Sequence, residues 1–207
     1  MTITTKPPLC GSSATTGTPV EGQPQKPYVV SFNTHVNPTT SQALLATVCQ
    51  QLAQGYNDLH LLLSTVGGSV ADGLTVYNVL RWLPVYVTTY NVGCVNSIGN
   101  VVFLAGDKRY AAKASSFMFH GVGFDIEKAR FEEKELNARL ASLQNDQALI
   151  ADVIVRHTKL TKEQVRDLFM NAAFVPAAEA CSRGIVDEVR DVELPKDVPI
   201  IQLVFGK

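Results

Sequence analysis

Ser97 and His120, together with two turns that carry glycines, are the residues of this 207-residue chain whose types and order could do chemistry. Ser97 lies in NVGCVNSIG, residues 91–99, after the β-branched run at 85–90 and before the apolar run at 101–105. That pattern places the serine where a strand turns into a helix. The first N–H groups of a helix lack internal partners and carry the positive end of its dipole. They suit an anion forming at a carbonyl carbon attacked by a hydroxyl. The plain reading of a lone serine in this context is a helix cap, with Gly93 and Gly99 there for close packing. Other residues change that balance. A Gly67–Gly68 pair ends a second apolar run, and His120 ends a third, residues 116–119. Acyl transfer needs a hydroxyl, an imidazole to take and return its proton, a group to orient that imidazole, and two N–H donors.

The elements that must position these groups follow a repeating order. Residues 28–32, YVVSF, read as a strand, and the Thr39-Thr40-Ser41 cluster after Pro38 can cap a helix carrying Leu44, Leu45, Val48 and Leu52. Residues 59–63 form a short apolar run consistent with a strand buried on both faces, and residues 70–83 form a helix ending at Pro84. Strand, glycine turn, helix, strand, serine turn, helix is the order of a parallel sheet covered by helices. In such sheets ligands gather at the carboxyl ends of strands, so the glycine pair and Ser97 are expected to face one cleft. Residues 109–112 and 116–119 are further strands. From about 126 to 157 the chain turns strongly helical, with Leu136, Leu140, Leu143 and Leu149 available to pack on a partner subunit or on the domain itself. Thr161 with Gln164 makes a capping box for a helix through Met170, a small Ala-rich helix ends at Gly184, and residues 185–187 and 200–205 read as edge strands.

Residues 1–27 hold five of the ten prolines and little that could join a core, so they read as a flexible tail before a single domain at 28–207. A net charge of -1 without a long basic run argues against nucleic acid as a partner. Cys10, Cys49, Cys94 and Cys181 lack metal or redox spacing, so reduced thiols in a cytoplasmic setting are expected, with no metal and no cofactor. No apolar stretch reaches the roughly 20 residues that span a bilayer.

Four motifs resemble the proteolytic subunit of the Clp protease, ClpP, over residues 61–189. The family's S-P-G-G-S-V turn is matched by Ser64-Thr65-Val66-Gly67-Gly68-Ser69-Val70, with Val66 in place of proline. Its G-x-x-x-S-x-G turn is matched by residues 93–99, and its S-R-x-M-I-H strand by residues 115–120. Its F-L-S-A-P-E-A segment, followed by G-L-V-D, is matched by residues 174–180 and 184–187. The resemblance implies an α/β fold of the ClpP/crotonase type, a spiral of ββα units with a long protruding handle helix. It implies Ser97 as nucleophile, His120 as base, the N–H groups of Gly68 and Ile98 as oxyanion donors, and Gly67, Ser69 and Val70 beside the substrate. It also implies a homo-oligomeric ring or double ring acting on peptides or unfolded protein.

Two departures qualify what the resemblance carries over. The family's third triad member, an acid, falls on Ala172, which cannot orient an imidazole. The neighbouring Asn171 could accept from a histidine N–H if the loop shifts by one residue, or could simply end a helix; both readings stay open. Either way a slow or conditional enzyme is expected, because in a serine protease an Asp-to-Asn change can lower turnover by ~10⁴. The polar N-terminal segment does not match the family's axial-loop segment, so a AAA+ unfoldase partner does not follow from the resemblance. The alternatives are a catalytically impaired ClpP-like subunit with an assembly or regulatory role, and, lower, a crotonase-like acyl-CoA enzyme. A Ser-Lys dyad would have Lys113 as its nearest candidate. His35, His60 and His157 read as structural, His157 as a charge suited to a helix C-terminus, Cys94 as a packing residue, and Asp125 as a cap for the long helix.

Overall fold

A computed structural model describes residues 25–123 and 130–205. The expected tail falls almost wholly on residues outside these, as do Cys10 and the proposed Asp125 cap. Strand β1 (Pro27–Asn33) is followed by helix α1 (Pro38–Ala53), strand β2 (Asp58–Thr65), helix α2 (Val70–Trp82) and strand β3 (Tyr86–Asn96). The cap of α1 is Asn37 rather than the threonine cluster. Its side chain accepts from the Thr40 N–H at 3.0 Å, while Thr40 Oγ1 accepts from the Asn37 N–H at 3.1 Å. The reciprocal pair satisfies two otherwise orphaned donors, and Pro38 at the first helical position loses no N–H that the helix would use. On the β2 strand, inward residues are fully buried and His60, Leu62 and Ser64 only half so, which gives one dry face and one partly covered face rather than two dry ones.

β1, β2 and β3 run parallel in register, and β3 is shared between two further parallel partners. Its first half pairs with β4 (Lys108–Ala111) and its end pairs with β5 (Ser116–Met118), Cys94 facing Ser116 and Asn96 facing Met118. β3 is longer than its β-branched run suggests. The strand continues through Asn96, because β5 takes over as its hydrogen-bonding neighbour where β4 ends. The helix that follows, α3 (Gly99–Phe103), is five residues long and wholly buried.

Helix α4 (Glu133–His157) starts later than expected: residues 130–132 are not helical. Glu135 accepts from the Glu132 N–H at the turn where the helix begins. Its buried residues are Ile150, Val153 and Ile154, all in the C-terminal half, while Leu136, Leu140 and Leu149 are exposed. Helix α5 (Lys162–Met170) has the Thr161–Gln164 capping box. β6 (Phe174–Pro176) pairs antiparallel with β5, and α6 (Ala177–Ser182) follows. The strand expected at 185–187 forms instead at β7 (Glu188–Val189), since residues 185–187 bury apolar side chains and cap β4 through the Asp187 contacts to Arg109. β8 (Ile200–Gln202) adds to the free edge of β1, giving the sheet order β6-β5-β3-β2-β1-β8 with β4 and β7 branching from β3.

The C-terminus of α4 is tied to the body by His157. Its Nε2 is hydrogen-bonded to the Tyr77 hydroxyl at 2.6 Å, and its carbonyl accepts from Arg109 at 2.6 Å. Burial, and then the charges of Arg81, Arg109 and Arg156, lower the imidazole pKa to about 4, so it sits here neutral rather than as the dipole-compensating cation expected from its position. An unfolded imidazole takes up its proton near pH ~6.5, so between that pH and about 4 the unfolded chain binds more protons than the folded one. Stability is therefore expected to fall as pH is lowered through this window. In thermal melts read across it, His157→Gln should show a shallower fall than the unaltered chain.

Candidate active site

Three parallel strands deliver the chemistry to one place. β2, β3 and β5 end at the same side of the sheet, Thr65 opposite Val95 and Asn96 opposite Met118, so the residues just beyond their ends become neighbours. Those residues are Gly67 and Gly68, Ser97, and His120. The ladder runs one step past β3, the Ser97 N–H donating to the Met118 carbonyl at 2.8 Å. Gly68, Val70, Ser97, Ile98 and His120 line one cleft, closed on its far side by Ile150 and Ile154 of α4 and Phe169 of α5.

Ser97 has a φ of 57°, in the left-handed region that a side chain rarely adopts, so the chain reverses sharply at the hydroxyl. Gly67 packs directly on this turn. A Cβ at position 67 would lie 2.6 Å from the Ser97 Cβ and 2.9 Å from the Asn96 carbonyl oxygen, so only glycine fits. Gly68 is equally confined, since a Cβ there would strike the Val36 carbonyl oxygen. The neighbouring N–H groups of this turn are used, Gly67 donating to Thr65 Oγ1 and Ser69 to the Val36 carbonyl. The N–H groups of Gly68 and Ile98 donate no hydrogen bond among the described residues. Two unspent donors thus flank the cleft that holds the serine. With α3 only five residues long, they act as local dipoles rather than as the end of a long helix.

His120 is exposed at the cleft, its Nδ1 2.7 Å from the Gly121 carbonyl oxygen. No hydrogen bond joins its ring to Ser97 Oγ. Asn171 does not reach the ring: its amide donates to the Asp167 carbonyl at 2.8 Å, and its side chain lines a separate depression with Leu160, Asp167 and Arg183. Ala172 takes a left-handed φ of 45° directly after it. Of the expected site residues, the structure gathers Ser97, His120, Gly68, Ile98 and Val70 at one cleft and sets Asn171 apart, with Gly67 and Ser69 supporting the turn beside it. Lys113 forms a long surface contact with Asp191 at 4.0 Å and does not line the cleft.

Asn100 was not legible as a site residue. It is buried, and its amide donates to the carbonyls of both Ser97, at 2.9 Å, and Met118, at 2.8 Å. One side chain thereby clamps the serine turn to the strand that leads into His120. A polar residue at the first turn of an otherwise apolar buried helix was the one available signal.

The site is thus the end of an α/β sheet whose parallel strands meet at one cleft. There a serine with a left-handed φ shares the lining with two residues whose N–H groups donate no hydrogen bond among the described residues. A Clp protease family model matches residues 24–193. The chain belongs to the Clp protease family. Among solved structures it is similar to an Asn-to-Asp variant of ClpP1 from Listeria monocytogenes, with a TM-score of 0.69 and 18% identity, covering 79% of this chain and 91% of that one. The fold is that of ClpP.

Replacing Asn100 by Leu keeps the number and branching of side-chain heavy atoms and removes both clamping bonds. Each carbonyl retains a backbone donor, so the expected cost is about 2 kcal/mol. Denaturant unfolding measures that cost, and hydrogen exchange at the Ser97 amide should accelerate in the same variant.

Proposed function

We propose that this chain is a serine-type endopeptidase of the ClpP kind, cleaving peptides or unfolded polypeptides through an acyl-enzyme inside an oligomeric chamber. The observation that carries this reading is the pair of unspent N–H donors, Gly68 and Ile98, in the same cleft as a sharply turned serine. Ser97 Oγ attacks the scissile carbonyl carbon and its proton passes to His120 Nε2. The oxyanion takes the two N–H groups, which are already oriented and need no reorganisation. Collapse breaks the C–N bond, and His120 returns the proton to the leaving amine. A water then repeats the sequence on the ester, releasing the acid and restoring Ser97. Gly67, Ser69 and Val70 border the path of the substrate backbone. No group on the described residues clusters as a metal site, and this chemistry calls on no cofactor.

A second reading is favoured by one specific observation. Asn171 bonds within its own helix and the Ala172 side chain offers no acceptor, so no side chain among the described residues completes a triad. On that reading the chain is an impaired subunit with an assembly or regulatory role. A fluorophosphonate probe separates the two: the peptidase reading expects covalent labelling of Ser97, lost in Ser97→Ala, and slow hydrolysis of short peptides lost with it. An unlabelled Ser97 beside a labelled active ClpP would leave the impaired subunit standing.

The exposed Leu136, Leu140 and Leu149 of α4 support a homo-oligomer in which a second copy covers the handle. Light scattering at micromolar concentration should give a mass several times that of one chain, and the double change Leu136→Glu, Leu140→Glu should lower it. An AAA+ unfoldase is not part of this proposal, and a cytoplasmic setting is proposed only by analogy with the family. No helix of the described residues is long and apolar enough to cross a membrane.

A further inference from the structure

The orienting partner of His120 is in the main chain. Among the described residues its ring has one hydrogen-bond partner, the Gly121 carbonyl oxygen, 2.7 Å from Nδ1. A carbonyl oxygen can only accept, so this bond requires the proton on Nδ1. A neutral imidazole protonated there presents Nε2 unprotonated, as the atom free to act as base. We infer that the Gly121 carbonyl performs the positioning task that an acidic side chain performs in a triad, so that the working unit is a Ser97–His120 pair oriented by the backbone.

The main chain around His120 is held well enough to do this. The Phe119 N–H donates to the Ala173 carbonyl at 2.9 Å, and the Gly121 N–H donates to the Phe169 carbonyl at 3.3 Å. The residues on either side of the histidine are thus fixed to the last turn of α5 and to the segment that joins it to β6. That segment contains both Asn171 and Ala172. It contributes one of the two main-chain carbonyls that pin the histidine's flanks, while its one amide side chain donates to the Asp167 carbonyl.

The consequence for catalysis rests on the peptidase reading; the hydrogen bond does not. When the Ser97 Oγ proton moves to Nε2, the ring becomes an imidazolium whose Nδ1–H stays on the Gly121 oxygen. A carbonyl dipole holds the tautomer as a carboxylate would, but it gives the cation less stabilisation. His120 is therefore held in the tautomer a base needs and the reaction is slow, a different defect from an amide that imposes the wrong tautomer.

The test is the position of the ring proton. The full chain, labelled with ¹⁵N histidine and kept in its native assembly, is examined by magic-angle-spinning NMR in alkaline buffer, with His120→Gln identifying the His120 signals. The expected result is a protonated Nδ1 and an unprotonated Nε2, unchanged in Asn171→Ala. A ring protonated at Nε2, or a shift of the proton to Nε2 in Asn171→Ala, would overturn the inference, the latter in favour of Asn171. Failure of Ser97 to take the fluorophosphonate probe while the Nδ1–H form persists would overturn the peptidase reading and leave the orienting bond in place. Labelling of Ser97 with the proton on Nε2 would do the reverse.

Discussion

The close approach of Gly67 to Ser97 is the constraint on which the cleft depends. Two strand ends can bring their turns together only if one of them carries no side chain at the point of contact, and a Cβ at position 67 would come within 2.6 Å of the serine's own. The contact follows from register. β2 and β3 are parallel and aligned, with a shift near Ser64 that lets the end of β2 follow the longer β3, so the turn after each strand opens at the same level. β5 then joins the far side of β3 and sets His120 at that level too. Three segments distant in sequence meet because parallel strands present their ends together.

Holding a serine at a φ of 57° is unfavourable, and the surroundings offset it. The Ser97 N–H extends the β3–β5 ladder, and the Asn100 amide bridges the carbonyls on both sides of the turn. These bonds employ the Ser97 N–H and the Ser97 and Met118 carbonyls, while the Gly68 and Ile98 N–H groups stay unspent among the described residues. The same economy appears at His120, where backbone bonds to the α5–β6 segment fix the strand end without a side-chain partner for the ring. α4 divides the labour along its length: its C-terminal half lines the cleft with Ile150 and Ile154 and is anchored by neutral His157, while its N-terminal half carries the exposed Leu136 and Leu140.

Much of this was legible from residue types in order. The βαβ alternation, the glycine turn, the serine turn and His120 depend on local patterning: β-branched runs, apolar helical spacing, and glycine where the backbone must turn. Such signals act over a few residues and survive without tertiary context. The boundaries that were misread share one cause. β3 runs to Asn96 because β5 pairs with it there, and the strand expected at 185–187 forms at 188–189 because β4 selects its partner. Each was decided by a neighbour that the local pattern does not name.

The sequence by itself determined which groups could do chemistry, since a hydroxyl, an imidazole and a pair of glycines are properties of residue type and spacing. Through its resemblance to ClpP it also placed Ala172, which has nothing to offer a ring, where that family has an acid. Only the tertiary structure decided what became of that gap. Whether Asn171 reached the imidazole depended on whether its amide oxygen could accept from the ring; its amide N–H donates to the Asp167 carbonyl one helical turn back, and the ring Nδ1 pairs with the Gly121 carbonyl instead. Whether Asn100 was filler or clamp depended on two carbonyls, one of them eighteen positions along the chain. Hydrogen bonds of this kind are chosen by geometry in space, and sequence order carries no record of it.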